Sequence, residues 1–339
     1  MTAFQKPSTV QGVATRKQAQ SAMSTGLHPS APAIRAIAAA HPNLALDVLA
    51  SPANAPVIDG LPGVARVVVF DRRRPGGFAA AAAQLRRARY DAVVDCMVTA
   101  PSLTTTLLML ATGAPWRVGI AGRGNDAAYT LPVPPGPGTH MADRIAALAA
   151  AFGVHVPVGR ARPTILLTAA EQARAAAAWA QVPGDGPRLL LNVSAGVAER
   201  RWPAARWVEV VGAARGRHPG LRLLVTGAPA ERALADAVAA GAGGAVTIGA
   251  LRDAFAAVAA SDVVLSPDTS TVHAASAFAR PTVVLGPTRS IPLWGPYGGL
   301  GRFVAVDGPL EALSAAPVIE ALIDALDAER AGTPPAALG

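Results

Sequence analysis

From residue 29 to residue 328, short apolar segments alternate with longer alanine-rich segments of helical periodicity. The apolar segments carry β-branched residues, as in Val263-Val264-Leu265. Apolar strands that alternate with amphipathic helices predict parallel sheets covered by helices on both faces. A proline-rich stretch at 156–163 divides the pattern into halves of similar size. The sequence therefore predicts an α/β protein with two Rossmann-like domains that face each other across a cleft.

The predicted domains are an N-terminal, acceptor-binding one at 27–157 and a C-terminal, nucleotide-sugar-binding one at 164–328, followed by a tail at 329–339. Residues 1–26 differ from both, because they contain the two lysines of the chain, four of its seven glutamines and no acidic residue. This segment has no strand-like apolar run, so we predict that it is disordered or poorly packed. The first strand of the N-terminal domain is then expected to be missing or replaced.

Composition excludes several classes of protein. The single cysteine, Cys96, rules out a disulfide framework and a cysteine-rich metal site, and it is expected to be a buried structural thiol. The net charge is +8, but the arginines are scattered and aromatics make up only 4%, so nucleic-acid binding is not expected. An anionic substrate or an acidic membrane surface suits this charge better. We predict a cytoplasmic protein that can contact the inner face of the membrane peripherally.

The segment Ser-Pro-Asp-Thr-Ser-Thr-Val-His, residues 266–273, follows an apolar run and opens a small-residue segment. The pattern predicts a buried strand, a turn and a helix that Asp268 or Thr269 can cap. Backbone N–H groups at the start of such a helix bind anions well. Asp268, Thr269, Ser270 and His273 are therefore candidates for a phosphate pocket. The alternative is an ordinary capped helix with a buried histidine.

Three more polar or glycine-containing loops follow predicted strands. The first has Ser194 and Arg200-Arg201, which can pair with a diphosphate, although a surface arginine pair would look the same. The second has Glu231, which could bind ribose hydroxyls or cap its own helix. The third contains Gly286-Pro287-Thr288 and continues to residues 294–298, where it could form a wall of the cleft or a structural turn.

Taken in order, these motifs resemble those of glycosyltransferase family 9, the ADP-heptose:lipopolysaccharide heptosyltransferases. The similarity covers about residues 27–328, and five ordered motifs are more specific than any one of them. The motifs that carry it are Arg200-Arg201-Trp202-Pro203, the turn from Gly227 to Glu231, the segment from Asp268 to His273, Gly286-Pro287-Thr288, and Trp294-Gly295-Pro296-Tyr297-Gly298.

The resemblance implies a GT-B fold and inverting transfer of heptose from ADP-heptose to an anionic lipopolysaccharide core acceptor, with no metal and no cofactor. It implies that Arg200 holds the diphosphate and the sugar, and that Glu231 binds the ribose. Asp268 would bind heptose hydroxyls, while the backbone at Thr269 and Ser270 would donate to phosphate. His273 would lie beside that pocket.

The chain departs from the family pattern at two places. Ser270 stands where the family has glycine, and it would be strained only if the backbone there had a positive φ. Family members also begin with a strand followed by Gly-Asp, whose aspartate is the expected base. Residues 21–26 read Ser-Ala-Met-Ser-Thr-Gly instead, and the first acidic residue is Asp47. The catalytic base is therefore unassigned, and two alternatives stay open: a nucleotide-sugar-binding relic without turnover, and an enzyme with another donor or acceptor.

Overall fold

The computed structural model describes residues 16–20, 30–98, 101–195 and 200–331. The described chain forms two compact units. The first unit comprises residues 16–20, Ala33–Pro135 and Ala147–His155. The second comprises residues 30–32, Gly136–Ala146 and 156–331. In the described part of the chain, no helix is long and apolar enough to cross a membrane.

The first unit contains a six-stranded, fully parallel sheet with the strand order β3-β2-β1-β4-β5-β6. Strands β2 and β4, which flank β1, are buried and mostly apolar, as the sequence pattern predicted. The strands are β1 Arg16–Gln20, β2 Ala45–Ala50, β3 Val64–Val69, β4 Ala92–Asp95, β5 Trp116–Ile120 and β6 Leu131–Val133. Four helices connect them: α1 Ala31–Ala40, α2 Ala55–Ile58, α3 Gly77–Ala88 and α4 Leu103–Ala111.

Strand β1 occupies the place at which the first strand was expected to be missing or replaced. Residues 16–20 lie at the centre of the sheet, where they pair in parallel with both β2 and β4. The sequence Arg-Lys-Gln-Ala-Gln gives no apolar signal for a strand, but the hydrogen bonds of a parallel ladder come from the backbone, which every residue except proline supplies in full. The position is therefore filled by a polar segment. Residues 21–29 lie outside the described residues.

The first acidic residue of the chain is part of the structure of this sheet. Asp47 on β2 is 3% exposed and accepts hydrogen bonds from the Arg66 guanidinium at 2.5 Å and the Tyr90 hydroxyl at 2.8 Å. Burial and the hydrogen bond to Asp47 raise the pKa of Tyr90 to about 12, so it remains a neutral donor. Because a buried carboxylate without such partners would be strongly destabilising, Asp47 is committed to this pair.

The second unit contains another six-stranded parallel sheet, with the order β12-β11-β10-β7-β8-β9. Its strands are β7 Arg188–Asn192, β8 Arg222–Thr226, β9 Ala245–Thr247, β10 Val263–Pro267, β11 Thr282–Pro287 and β12 Gly301–Val306. Its helices are α5 Met141–Ala146, α6 Ala169–Ala180, α7 Ala204–Arg217, α8 Arg232–Ala242, α9 Leu251–Ala259, α10 Ser270–Ala277, α11 Ile291–Trp294 and α12 Ala316–Arg330.

The core of the second unit is formed by the buried faces of β7, β8, β10 and β11 against α7, α8 and α12. Trp202 and Trp207 are its largest side chains, and their rings meet edge to face at 4.7 Å between centroids. Helix α6 was not predicted, although Thr168 and Glu171 form a capping box at its start. The Glu171 carboxylate also pairs with Arg252 at the start of α9, and this ion pair joins α6 to α9.

The segment 136–146 belongs to the second unit, whereas the predicted N-terminal domain extends to residue 157. Asp143 accepts hydrogen bonds from the Gly159 amide at 3.0 Å and the Tyr297 hydroxyl at 2.6 Å, and His140 bonds to the Gly295 carbonyl at 3.1 Å. These long-range bonds attach the segment to its unit. The chain is an α-helix from Met141 to Ala146 and a 3-10 helix from Ala147 to Phe152.

Candidate functional site

The carboxyl ends of β7, β8 and β10 open into a cavity of about 420 Å³ within the second unit. Numbered within its own sheet, the unit has the strand order 3-2-1-4-5-6, and β7 and β10 lie on either side of the point where that order reverses. Open α/β sheets bind ligands at this point. The residues lining the cavity are Asn192, Ser194, Arg200, Thr226, Gly227, Ala228, Pro229, Gly249, Ala250, Leu251, Ala254, Asp268, Thr269, Ser270, Thr271, His273 and Trp294.

Asn192, the last residue of β7, connects the two strands at the reversal. Its side-chain amide donates to the hydroxyls of Ser266 and Thr269, each at 3.0 Å. Its side-chain oxygen accepts from the Ser194 amide at 3.1 Å. A single buried side chain therefore holds both loops that lead into the cavity. Sequence analysis missed Asn192, although a lone polar residue at the end of the apolar run Leu189–Leu191 was the available signal.

The start of helix α10 presents its first amides without a side-chain cap. Thr269 occupies the N-cap position in an extended conformation, but its hydroxyl bonds to Asn192 and makes no cap bond. The first N–H groups of a helix have no intrahelical partners, and the helix dipole makes them attractive to an anion. Ser270 is the first helical residue and has no positive φ, so serine is accommodated there without backbone strain.

Arg200 reaches across to the end of β10. Its Nη1 donates to the main-chain carbonyl of Asp268 at 2.9 Å and lies 3.4 Å from the Asp268 carboxylate. Trp202 anchors the loop that carries it, because its ring is buried and its indole N–H donates to the Leu313 carbonyl at 3.0 Å. Pro203 then precedes the first residue of α7. The tryptophan therefore fixes the path of the chain that places the arginine in the cavity.

Asp268 is only 6% exposed, and two neighbours favour the charged form of its carboxyl group. Burial raises the pKa of the Asp268 carboxyl, while a hydrogen bond from Ser290 and the charge of Arg200 act in the opposite direction. The result is an acidic group beside a cation, at the end of a strand and next to a helix N-terminus. Such a group can accept hydrogen bonds from a polyol while the arginine faces an anion.

Ser194 and Glu231 support the opposite wall. The Ser194 hydroxyl accepts from the Ala228 amide at 2.5 Å, so it joins the loops after β7 and β8. Glu231 is not among the described lining residues, because its carboxylate turns to the Ala195 amide at 3.2 Å and to Arg201 at 3.9 Å. It also makes no side-chain cap bond to α8. The ribose role of Glu231 stays a prediction.

His273 lies one turn into α10 and contacts the ring of Trp294 at 5.7 Å between centroids. Desolvation lowers the pKa of His273 to about 4, and the charge of His140 acts in the same direction. Nδ1 of His140 accepts from the Ala142 amide and Nε2 donates to the Gly295 carbonyl, so the tautomer of His140 is fixed. Both imidazoles are therefore neutral at neutral pH.

The predicted transfer also needs a catalytic base, which the sequence leaves unassigned. Residues 21–26, where the resemblance places the catalytic base, lie outside the described residues. Asp95, at the carboxyl end of β4, is 1% exposed and accepts from the Met97 amide and the Tyr129 hydroxyl. Burial raises the pKa of Asp95, and it also raises the pKa of the neighbouring Cys96 thiol. Cys96 is therefore an inert buried thiol, and no described residue of this unit is assigned as the base.

Solved structures that resemble this chain define the class of its fold. The fold is that of the GT-B glycosyltransferases. A glycosyl transferase family 9 protein from Veillonella parvula DSM 2008 aligns with a TM-score of 0.77 at 18% identity, covering 92% of this chain and 97% of that one. E. coli ADP-heptose LPS heptosyltransferase II aligns with a TM-score of 0.73 at 20% identity, covering 93% and 100%. E. coli heptosyltransferase WaaC with ADP aligns with a TM-score of 0.72 at 22% identity, covering 92% and 100%.

The family model of glycosyltransferase family 9 (heptosyltransferase) matches residues 78–307. This is more than half of the chain, and the chain belongs to that family. The predicted resemblance and fold class are thereby confirmed. No curated protein sequence matches the chain significantly.

Proposed function

We propose that the protein transfers heptose from ADP-heptose to a lipopolysaccharide core acceptor, with inversion and without a metal ion. The observation that carries the proposal is the pairing of Arg200 with Asp268 beside the uncapped start of α10, in a cavity at the strand-order reversal. Family membership supports a transferase. The structural relatives include an ADP-heptose LPS heptosyltransferase and an ADP complex, which support the donor.

The cavity suits the diphosphate of a nucleotide sugar. As the glycosidic bond breaks, negative charge grows on the leaving diphosphate and must be stabilised by fixed positive groups. The Arg200 guanidinium keeps donors for an anion, because only its Nη1 is bonded among the described contacts. The backbone N–H groups of Ser270 and Thr271, at the start of α10, have no intrahelical acceptors and can donate to the same anion. We assign the diphosphate to these groups.

We assign the donor sugar to Asp268 and the neighbourhood of His273. A carboxylate that is buried, charged and flanked by an arginine accepts hydrogen bonds from sugar hydroxyls, and the neutral imidazole of His273 can donate or accept one without adding charge. The small residues Gly227, Ala228, Gly249 and Ala250 leave room on the other side of the cavity for the nucleoside. Ser194 positions the Gly227–Ala228 turn through the Ala228 amide.

The net charge of +8 fits an acceptor that carries phosphate and acidic sugars, and it fits peripheral contact with an anionic membrane surface. Nothing in the composition favours nucleic acid. The acceptor hydroxyl must lose a proton during transfer, and loss of a general base typically slows an enzyme by about 10²–10⁴. The absence of Gly-Asp from residues 21–26 therefore favours a second candidate, a protein that binds ADP-sugar and does not turn it over.

The experiment that tests the proposal is incubation of the full chain with ADP-heptose and truncated lipopolysaccharide, with the product identified by mass. The expected result is an added heptose for the wild-type chain and none for Arg200→Ala or Asp268→Ala. Arg206→Ala is the matched control, because it removes an arginine with a 43% exposed side chain whose one ion pair among the described residues is to Glu209 on the same helix.

Binding of ADP by calorimetry separates the alternatives. ADP binding without transfer to any truncated acceptor supports the binding protein, and transfer from a different nucleotide sugar supports an enzyme with another donor. A wild-type chain that binds neither ADP nor ADP-heptose would show that the cavity is not a nucleotide-sugar site.

A further inference from the structure

A second cavity, of about 290 Å³, lies at the carboxyl ends of β11 and β12. Arg289 and Arg200 provide its charged groups, and Gly286 and Gly308 form part of its wall. Gly308 has a φ of +126°, which side-chain-bearing residues rarely adopt, and a Cβ atom there would point into open space. This cavity is separate from the donor cavity, yet Arg200 lines both.

Asp268 and Arg200 form the partition between the two cavities. A Cβ atom on Gly286 would lie 3.1 Å from the Cβ of Asp268, so the backbone of the second cavity passes directly beside that residue. Arg289 belongs to the 3-10 turn Thr288–Ser290, and the buried Ser290 of this turn lies beside the Asp268 carboxylate, whose pKa it lowers. The turn that carries Arg289 is therefore fixed to the partition.

The charged side chains that line the second cavity are both cationic. Two guanidiniums and no carboxylate are found among its described lining residues. The nearby Asp307 carboxylate accepts a hydrogen bond from the Thr288 hydroxyl at 2.6 Å, and the Asp268 carboxylate forms an ion pair with Arg200. In the described part of the chain, no ion pair or hydrogen bond engages the Arg289 side chain, which is exposed. Its guanidinium is available to a planar or tetrahedral oxyanion.

We propose that this second cavity is an anion subsite for the acceptor, in which Arg289 binds a carboxylate or phosphate attached to the acceptor sugar. The inference rests on the proposed function. The acceptor hydroxyl must approach the donor sugar where Asp268 and Arg200 hold it, so an acidic substituent of the acceptor extends into the adjoining space. Arg289 then acts as a specificity-determining residue, and it contributes little to donor binding.

Steady-state kinetics of Arg289→Ala, Arg289→Lys and the control Arg206→Ala test the subsite. With truncated lipopolysaccharide as acceptor, Arg289→Ala is expected to raise the KM for the acceptor about tenfold, as loss of a hydrogen bond to a charged group does. The KM for ADP-heptose should remain within twofold of the wild-type value. Arg289→Lys should recover part of the loss because it restores the charge, and Arg206→Ala should change neither constant.

Chemically altered acceptors identify the bound group. If the group is a carboxylate, reduction of the acceptor carboxyls should raise the wild-type KM and abolish the difference from Arg289→Ala. If it is a phosphate, dephosphorylated acceptor should do so. An unchanged acceptor KM in Arg289→Ala, or a rise in the KM for ADP-heptose in its place, overturns the proposal while leaving heptose transfer intact.

Direct binding keeps the subsite testable when the wild-type chain transfers nothing. In that case the proposed function fails, and the ADP-saturated protein is titrated with inorganic phosphate by calorimetry. Weak phosphate binding that is lost in Arg289→Ala and kept in Arg206→Ala supports the anion subsite, and no phosphate binding overturns it.

Discussion

Arg200 and Asp268 meet through two different atoms of the aspartate: the arginine Nη1 donates to the main-chain carbonyl at 2.9 Å and lies 3.4 Å from the carboxylate. The arginine side chain is 35% exposed and the aspartate side chain 6%. A partly exposed cation is therefore oriented by a buried partner. This contact fixes the guanidinium before any ligand arrives, which lowers the entropy lost on binding.

Replacing Arg200 by lysine tests whether orientation matters beyond charge. Lysine keeps the charge but has one donor group, so it cannot bond Asp268 and present a planar fork to a diphosphate at once. We expect Arg200→Lys to weaken ADP binding about tenfold and Arg200→Ala to weaken it further. Calorimetry with ADP measures both. Equal affinities for Arg200→Lys and wild type would show that only the charge is used.

Asn192→Asp tests the hydrogen bonds at the strand-order reversal. The substitution keeps the shape of the side chain, but it removes the two donor bonds to Ser266 and Thr269 and places a negative charge beside the anion pocket. We expect ADP affinity to fall at least about tenfold. Asn43→Asp, at an exposed position of the first unit, is the matched control. If the fold is kept, as circular dichroism would show, and ADP binds normally, Asn192 does not shape the pocket.

Ser270→Gly tests the departure from the family motif. Ser270 begins helix α10 without a positive φ, so glycine removes no backbone strain there. Glycine also increases the conformational entropy of the unfolded chain. We expect no gain in stability and a change of ADP affinity below about twofold, since the contact is assigned to the backbone. A marked gain in urea stability would indicate that serine strains this position.

Much of this arrangement follows from local patterns. The polar segment after Val263-Val264-Leu265 predicted a strand, a turn and a helix, and the structure has β10 followed by α10. Ser194, Arg200, Asp268 and His273 come together because each follows a strand of one parallel sheet, whose carboxyl ends share an edge. The capping box formed by Thr168 and Glu171 is a local pattern of the same kind, so the start of α6 is also predictable from the sequence.

Other features depend on contacts between distant residues. The bonds of Asn192 to Ser266 and Thr269 exist because β7 pairs with β10, and sequence periodicity does not give strand order. The Glu231 carboxylate accepts from the Ala195 amide, a contact between residues 36 positions apart in the chain. Strand β1 is held by backbone pairing on both sides and has no apolar pattern to reveal it.

Tyr297→Phe tests the attachment of residues 136–146 to the second unit. The Tyr297 hydroxyl donates to Asp143 at 2.6 Å and accepts from the buried Ala161 amide at 2.7 Å. Phenylalanine keeps the ring but leaves that amide without its partner, which typically lowers the free energy of unfolding by about 1–3 kcal/mol. Urea unfolding measures the loss. A change below about 0.5 kcal/mol would mean that the segment is held by packing alone.

Acid sensitivity should originate in His273. Its pKa is lowered to about 4 in the folded protein, whereas the pKa of a histidine in the unfolded chain is about 6.5. Between these values the unfolded chain binds the proton and the folded chain does not, so the contribution to stability is complete above about pH 6.5 and is lost as the pH falls toward 4. Because the side chain is partly exposed, we expect a loss of about 1–3 kcal/mol across this window.

Urea unfolding of wild type and His273→Gln at pH 7, 5.5 and 4.5 measures this effect. Glutamine does not titrate, so the variant should lose less stability on acidification than the wild type. His140, whose pKa burial also lowers, should account for part of the slope that remains. Parallel losses in the two proteins would place the acid-sensitive group elsewhere, because a histidine that is removed can no longer contribute to the difference in proton binding.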